Sequence, residues 1–143
     1  METIAVIDGM GGGIGVQIIS RIKGLIRKDI EIIALGTNGV ATERMIKAGA
    51  KRGASGENAI RLSARNADFI LGPVGIVIAN SMMGEISAAM AEAILSSPAE
   101  RILLPLQNEH FTLAGVETLP LAKALEGAAE ILSSRLKGTG QEK

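Results

Sequence analysis

The sequence predicts a compact three-layer α/β domain, in which helices cover both faces of a mostly parallel sheet. Three observations predict it. Runs rich in apolar residues at Ile4–Ile7, Ile30–Leu35, Phe69–Leu71 and Arg101–Leu106 have the length of buried strands. Stretches with apolar residues at helical spacing separate most of them. Glycine clusters stand where several of the runs end, as they do where a strand turns into a helix. Strands alternating with helices favour a parallel sheet buried on both sides.

The elements follow in order. After the first strand, Ile14, Ile18, Ile22, Leu25 and Ile26 share a helical face, with Arg21, Lys23, Arg27 and Lys28 elsewhere. The second strand runs into Gly36-Thr37-Asn38-Gly39, where Thr37 or Asn38 can cap a helix reaching about Ala48. Gly49–Gly56 reads as a loop of small residues. Ala59-Ile60-Arg61-Leu62 fits a short strand or a helical turn, and a strand leaves the crossover less crowded. Asp68-Phe69-Ile70-Leu71 is a strand stopped by Gly72-Pro73-Val74-Gly75. Ile86, Ala89, Met90, Ala93 and Ile94 repeat at helical spacing, and Pro98 ends that helix. A strand over Arg101–Leu106 and a last one over Phe111–Val116 are expected, then a closing helix with Leu121, Leu125, Ala128 and Leu132. With 143 residues, the chain makes one domain over 1–136 and a frayed tail over 137–143.

Composition narrows the functions. Lys and Arg balance Asp and Glu at 15 each, which argues against a nucleic-acid partner. Phe69 and Phe111 are the only aromatics, so base stacking has little support. The longest apolar run, Phe69–Ala79, is interrupted by Gly72, Pro73 and Gly75 and is too short to span a bilayer. Met1-Glu2-Thr3 leads directly into the first strand without a targeting pattern, and a cytoplasmic protein is expected. Absent cysteine excludes thiolate chemistry, absent tyrosine excludes the Tyr–Lys pair of short-chain dehydrogenases, and a single histidine excludes a multi-histidine metal site.

The candidate site opens the chain. Five glycines follow the first strand in Asp8-Gly9-Met10-Gly11-Gly12-Gly13-Ile14-Gly15, before a helix whose first N–H groups lack partners. Gly9, Gly13 and Gly15 have the spacing G-x-x-x-G-x-G, which resembles the fingerprint of short-chain dehydrogenases. The form G-x-G-x-x-G fails at Ile14, and no Walker A sequence occurs. Backbone N–H groups from Gly11 to Gly15 are expected to hold a phosphate, with Asp8, Gly9 and Ile14 beside them.

The acid expected about 20 residues after such a loop to hold a ribose is missing. Leu35-Gly36-Thr37-Asn38 stands there instead, so Thr37 and Asn38 either contact the sugar or cap a helix, and Arg44 is within range of a 2′-phosphate. Asp8 raises a conflict, because a carboxylate about 4 Å from a phosphate repels it by roughly 1–4 kcal/mol. It can accept N–H bonds from its own loop, hold magnesium against the phosphate, or act as a general base. Gly72, Pro73, Gly75, Asn80 and Ser81 form the expected second wall; Asn80, Ser81 and Glu85 are polar groups in an apolar segment. That segment reads equally as a subunit contact with Met82 and Met83 as adaptable packing. His110, after Asn108-Glu109 past a strand end, is a catalytic candidate or a solvated side chain.

Taken together, Ile7–Gly15, Ala34-Leu35-Gly36-Thr37-Asn38, Gly56-Glu57-Asn58-Ala59 and Gly72–Met82 carry a wider resemblance. The chain closely resembles, from about Ile4 to Pro120, a small uncharacterised bacterial family of Rossmann-like proteins classed only as a domain of unknown function. The resemblance implies the Rossmann-like fold and leaves the activity open; Gln107–His110 departs from the family's pattern. The leading expectation is a small anionic ligand on the glycine loop, an NADP-type cofactor being preferred to an adenine nucleotide, with or without magnesium. The alternative is a non-catalytic homo-oligomer whose glycine loop serves packing alone. A composite catalytic site in a homodimer would draw on Asp8, Glu85 and His110.

Overall fold

The computed structural model describes residues 2–105 and 112–136. Five strands form one sheet: β1 (Glu2–Asp8), β2 (Ile30–Gly36), β3 (Arg52–Ser55), β4 (Phe69–Pro73) and β5 (Glu100–Leu104). Their order is β3-β2-β1-β4-β5, and every pairing is parallel. The helices are α1 (Gly13–Ile22), α2 (Gly39–Ala48), α3 (Glu57–Asn66), α4 (Ala88–Ser96) and α5 (Leu121–Arg135). A 3-10 turn over Val74–Val77 follows β4 directly.

Alternation along the strands builds two cores. Ile4 and Val6 of β1 and Ile32 and Ala34 of β2 face α1, α2 and α5, meeting Ile18, Ile19, Met45, Leu125 and Leu132. Ala5, Ile7, Ile33 and Leu35 face the other way, onto Ile60 and Ala64 of α3 and Met90 and Ile94 of α4. Such a sheet reads as continuous apolar runs because neither face meets water. From β1 the chain steps outward through β2 to β3, then returns to place β4 on the other side of β1. The order therefore reverses between β1 and β4, the place beyond whose carboxyl ends sheets of this kind take their ligands.

Two expected elements change identity. Residues 59–62 lie inside α3, where Ile60 and Ala64 turn one buried face inward and Glu57 pairs with Arg61 on the outside at 3.8 Å. The strand sits four to seven residues earlier, within the expected loop of small residues. β3 is an exposed edge strand with no large apolar residue, so period-two alternation left no trace in it. Its smallness has a cause: a Cβ at Gly53 would lie 2.6 Å from Ala34 O and 2.9 Å from Thr42 Cγ2. Residues 112–116 form no strand; Leu106–Phe111, with His110, and the tail from Lys137 lie outside the described residues.

Candidate functional site

Asp8, the last residue of β1, is 4% exposed, and its two oxygens accept the Gly9 and Gly15 N–H groups at 2.8 and 2.7 Å. The carboxylate thus ties the strand end to the first turn of α1. Burial pushes its pKa above the ordinary value, against the opposing hydrogen bonds from Gly15, Gly9 and Ile14; the Glu85 charge adds to the rise. Of the three roles open to Asp8, this is the internal acceptor.

The glycines divide by what surrounds them. A Cβ at Gly9 would lie 2.7 Å from Thr37 Oγ1 and 2.8 Å from Met82 Sδ. One at Gly15 would run into the Met45 side chain and come within 3.0 Å of Asp8 Cβ. Gly12 has φ 76°, and its Cβ would lie 2.9 Å from Ala41 Cα on α2. These three glycines are answered by packing. Gly13 faces open space, with nothing within 4 Å of where its Cβ would stand. Gly11 is also exposed, and its carbonyl accepts a hydrogen bond from the Arg44 guanidinium. The Gly12 N–H bonds Gly9 O at 2.8 Å, whereas those of Gly11 and Gly13 meet no acceptor among the described residues.

At the end of β2, Asn38 caps α2 by accepting the Ala41 N–H at 2.9 Å, while its amide donates to Met10 O at 2.9 Å. Thr37 donates its hydroxyl to Glu85 Oε1 at 2.5 Å. That acceptor arrives from the segment after β4. Glu85 Oε1 also takes the Met10 N–H at 2.7 Å and the Asn38 amide at 3.2 Å. The Thr37 hydroxyl, then the Met10 N–H and the Asn38 amide, hold the Glu85 carboxyl below the usual range.

The residues expected to form a second wall are engaged in their own segment. Gly72 and Pro73 are buried at the end of β4, and a Cβ at Gly72 would strike Ile7 O of β1. Gly75 O accepts the Ser81 hydroxyl at 2.5 Å, so that hydroxyl holds the segment together. Asn80 is exposed with φ 70°, and Met82, Met83 and Gly84 follow at 57°, 56° and 89°. Left-handed methionines are unfavourable, and here they are fixed by Asn80 N–H to Ile86 O at 2.7 Å and Ile86 N–H to Ser81 O at 3.3 Å. This tight winding carries Glu85 across to the glycine loop.

The structure therefore brings together Asp8, the loop from Gly9 to Gly15, Thr37, Asn38 and the segment after β4. Sequence reasoning missed Glu85 as a partner of the loop; the available signal was an acid in an apolar segment lacking its own partner. Arg44 also lines a shallow groove of about 350 Å³ between α1 and α2, with Ser20, Lys23 and Lys47, on the flank of the domain. No cluster of three or more acids or histidines able to hold a metal occurs among the described residues.

A parallel sheet in this order, with a glycine turn at its reversal, defines a Rossmann-like α/β domain. The chain belongs to the family described as Domain of unknown function (DUF3842), whose model matches residues 3–137. No curated protein and no solved structure matches it.

Proposed function

We propose that this domain binds a nucleotide, or a similar metabolite bearing phosphate or carboxylate, on the Gly9–Gly15 loop. One observation carries the reading: Gly11 and Gly13 present unengaged, exposed N–H groups at the start of α1, with open space over Gly13. The helix dipole there favours an anion by about 0.3–1 kcal/mol, up to ~2 when partly buried, so further contacts must supply most of the affinity. The neighbouring strand ends supply candidates for them: Thr37 and Asn38 after β2, joined to Glu85 of the segment after β4. The proposed setting is the cytoplasm, where such ligands abound.

A thermal-shift panel of NAD, NADP, ATP, GTP, S-adenosylmethionine and coenzyme A, with and without magnesium, tests the reading. A ligand at about 100 times its Kd adds roughly 2.7 kcal/mol. Gly13→Val adds a branched side chain at the open start of α1, where a Cβ meets nothing within 4 Å, so it should abolish the shift and leave the fold intact. A shift that survives Gly13→Val rejects this loop as the site.

A second reading has its own support. Gly9, Gly12 and Gly15 are each required by packing, as a purely structural turn demands, and Met83 is 85% exposed beside it. The domain would then be a non-catalytic homo-oligomer with this segment between subunits. Concentration-dependent association without any ligand response favours it.

A further inference from the structure

The nucleotide reading leaves one place unfilled: no acid follows β2 to hold the ribose. The structure puts a carboxylate in that neighbourhood from another part of the chain. Glu85 is 48 residues from Thr37 and 75 from Met10, yet it bonds both. Thr37 directly follows β2, and Met10 stands two residues past β1. The strand ends are level, since Asp8 and Gly36 are register partners. The carboxylate therefore lies over the junction of the β1–α1 and β2–α2 turns, where a dinucleotide-binding domain receives its ribose hydroxyls.

We propose that Glu85 is the ribose-recognising acid of this site, so that the ligand is a nucleotide with a free 2′-hydroxyl and not one carrying a 2′-phosphate. The inference rests on the nucleotide reading above. Its two oxygens are unequally used. Oε1 accepts all three donors, from Met10, Thr37 and Asn38. Oε2 accepts none among the described residues, and since no buried side-chain oxygen lacks a partner, Oε2 is open to solvent. A fixed acceptor with one oxygen anchored and the other free can take a hydroxyl donor.

Charge sets the direction of the selectivity. No Lys or Arg forms an ion pair with Glu85 among the described residues. A 2′-phosphate on the same ribose would meet an uncompensated negative charge, whereas a hydroxyl meets an acceptor. Arg44, the cation nearest the loop in its bonding, is engaged by the Gly11 carbonyl. The preference for an NADP-type ligand, which drew on Arg44, thereby shifts to ligands of the NAD or AMP type.

Isothermal titration with two matched pairs tests this: NAD against NADP, and AMP against adenosine 2′,5′-bisphosphate. Each pair differs only in the 2′-phosphate. If the panel selects another nucleotide, that nucleotide and its 2′-deoxy form make the pair. The wild-type protein should prefer the free hydroxyl by about tenfold or more. Glu85→Gln should shrink that ratio to within about threefold, because the amide keeps the shape and removes the charge. Binding of both members with equal affinity in the wild type overturns the role of Glu85 and leaves the nucleotide reading standing. So does a preference that Glu85→Gln leaves unchanged, which makes Glu85 only a staple for its own segment. Absence of any nucleotide binding overturns both. Should Glu85→Gln fail to fold, the wild-type ratio decides alone.

Discussion

Two turns meet over the reversal of the sheet, and they lean on glycine to different degrees: left-handed backbone falls on Met10 and Gly12 in the first, and on Asn80, Met82, Met83 and Gly84 in the second. The β1–α1 turn uses glycine at its tightest point: Gly12 stands at φ 76° against α2. The turn between β4 and α4 places methionine at Met82 and Met83 in the same region, with φ near 57° and 56°. At Gly12 the first turn is left-handed at almost no steric penalty, while Met10, at φ 53°, is held by its N–H to Glu85 and its carbonyl to the Asn38 amide. The second holds its shape through a cross-bonded ring, Asn80 to Ile86 and Ile86 to Ser81, and through Glu85 at its tip. Strain of this kind persists only where surrounding contacts over-determine it, and it concentrates at functional sites.

The largest effect that tests this contrast lies inside the glycine turn. Gly12→Ala must put a Cβ 2.9 Å from Ala41 Cα while keeping a positive φ. It should destabilise the domain by roughly 2–4 kcal/mol, the sum of overpacking and left-handed strain. Gly13→Ala meets empty space and should stay within about 0.5 kcal/mol of the parent. Urea unfolding of both variants measures the gap. Equal losses would mean that the turn is not divided into packing and open positions as described.

Met83→Gly probes the other turn and should act with smaller magnitude. The side chain is 85% exposed, so its removal forfeits little packing. Relief of left-handed strain, about 1–2 kcal/mol, opposes the roughly 0.5–1 kcal/mol entropic cost of a new glycine. The expected result is a gain of up to about 1 kcal/mol. A clear loss on thermal unfolding would show that Met83 is supported by contacts rather than strained.

The same contrast governs what the sequence revealed. Apolar runs specified β1, β2 and β4, because a buried parallel strand writes its whole length in hydrophobic residues, and β5, at the sheet edge, was legible from Ile102-Leu103-Leu104. The Asn38 cap and the glycine loop were legible for the same local reason. β3 was not, since Arg52-Gly53-Ala54-Ser55 is shaped by the close approach of α2 and not by burial of its own side chains. α3 was read as a strand from four residues, although Ile60 and Ala64 carry the helical spacing just beyond that window. The reach of Glu85 to Met10 depends on three left-handed residues that are not glycine, Asn80, Met82 and Met83, and no local pattern announces them.

Acid separates the two turns by sign. Glu85 holds its proton less tightly than an ordinary glutamate, whose value is 4.5, because Thr37 and Met10 bond its charged form. Its stabilising contribution is therefore complete above that value and is lost as pH falls through the lower pKa of the folded protein. Asp8 behaves in reverse. Burial raises its pKa above 3.8, so protonation from neutral pH downward first favours the folded state there. The stability difference between the wild type and Glu85→Gln, followed by urea unfolding, should be flat near neutrality and narrow only in acid below 4.5. Asp8 largely cancels from that difference, apart from the small rise it owes to the Glu85 charge. A difference that grew on acidification would mean that the carboxylate is not bonded in its charged form, and the link between the two turns would have to be neutral.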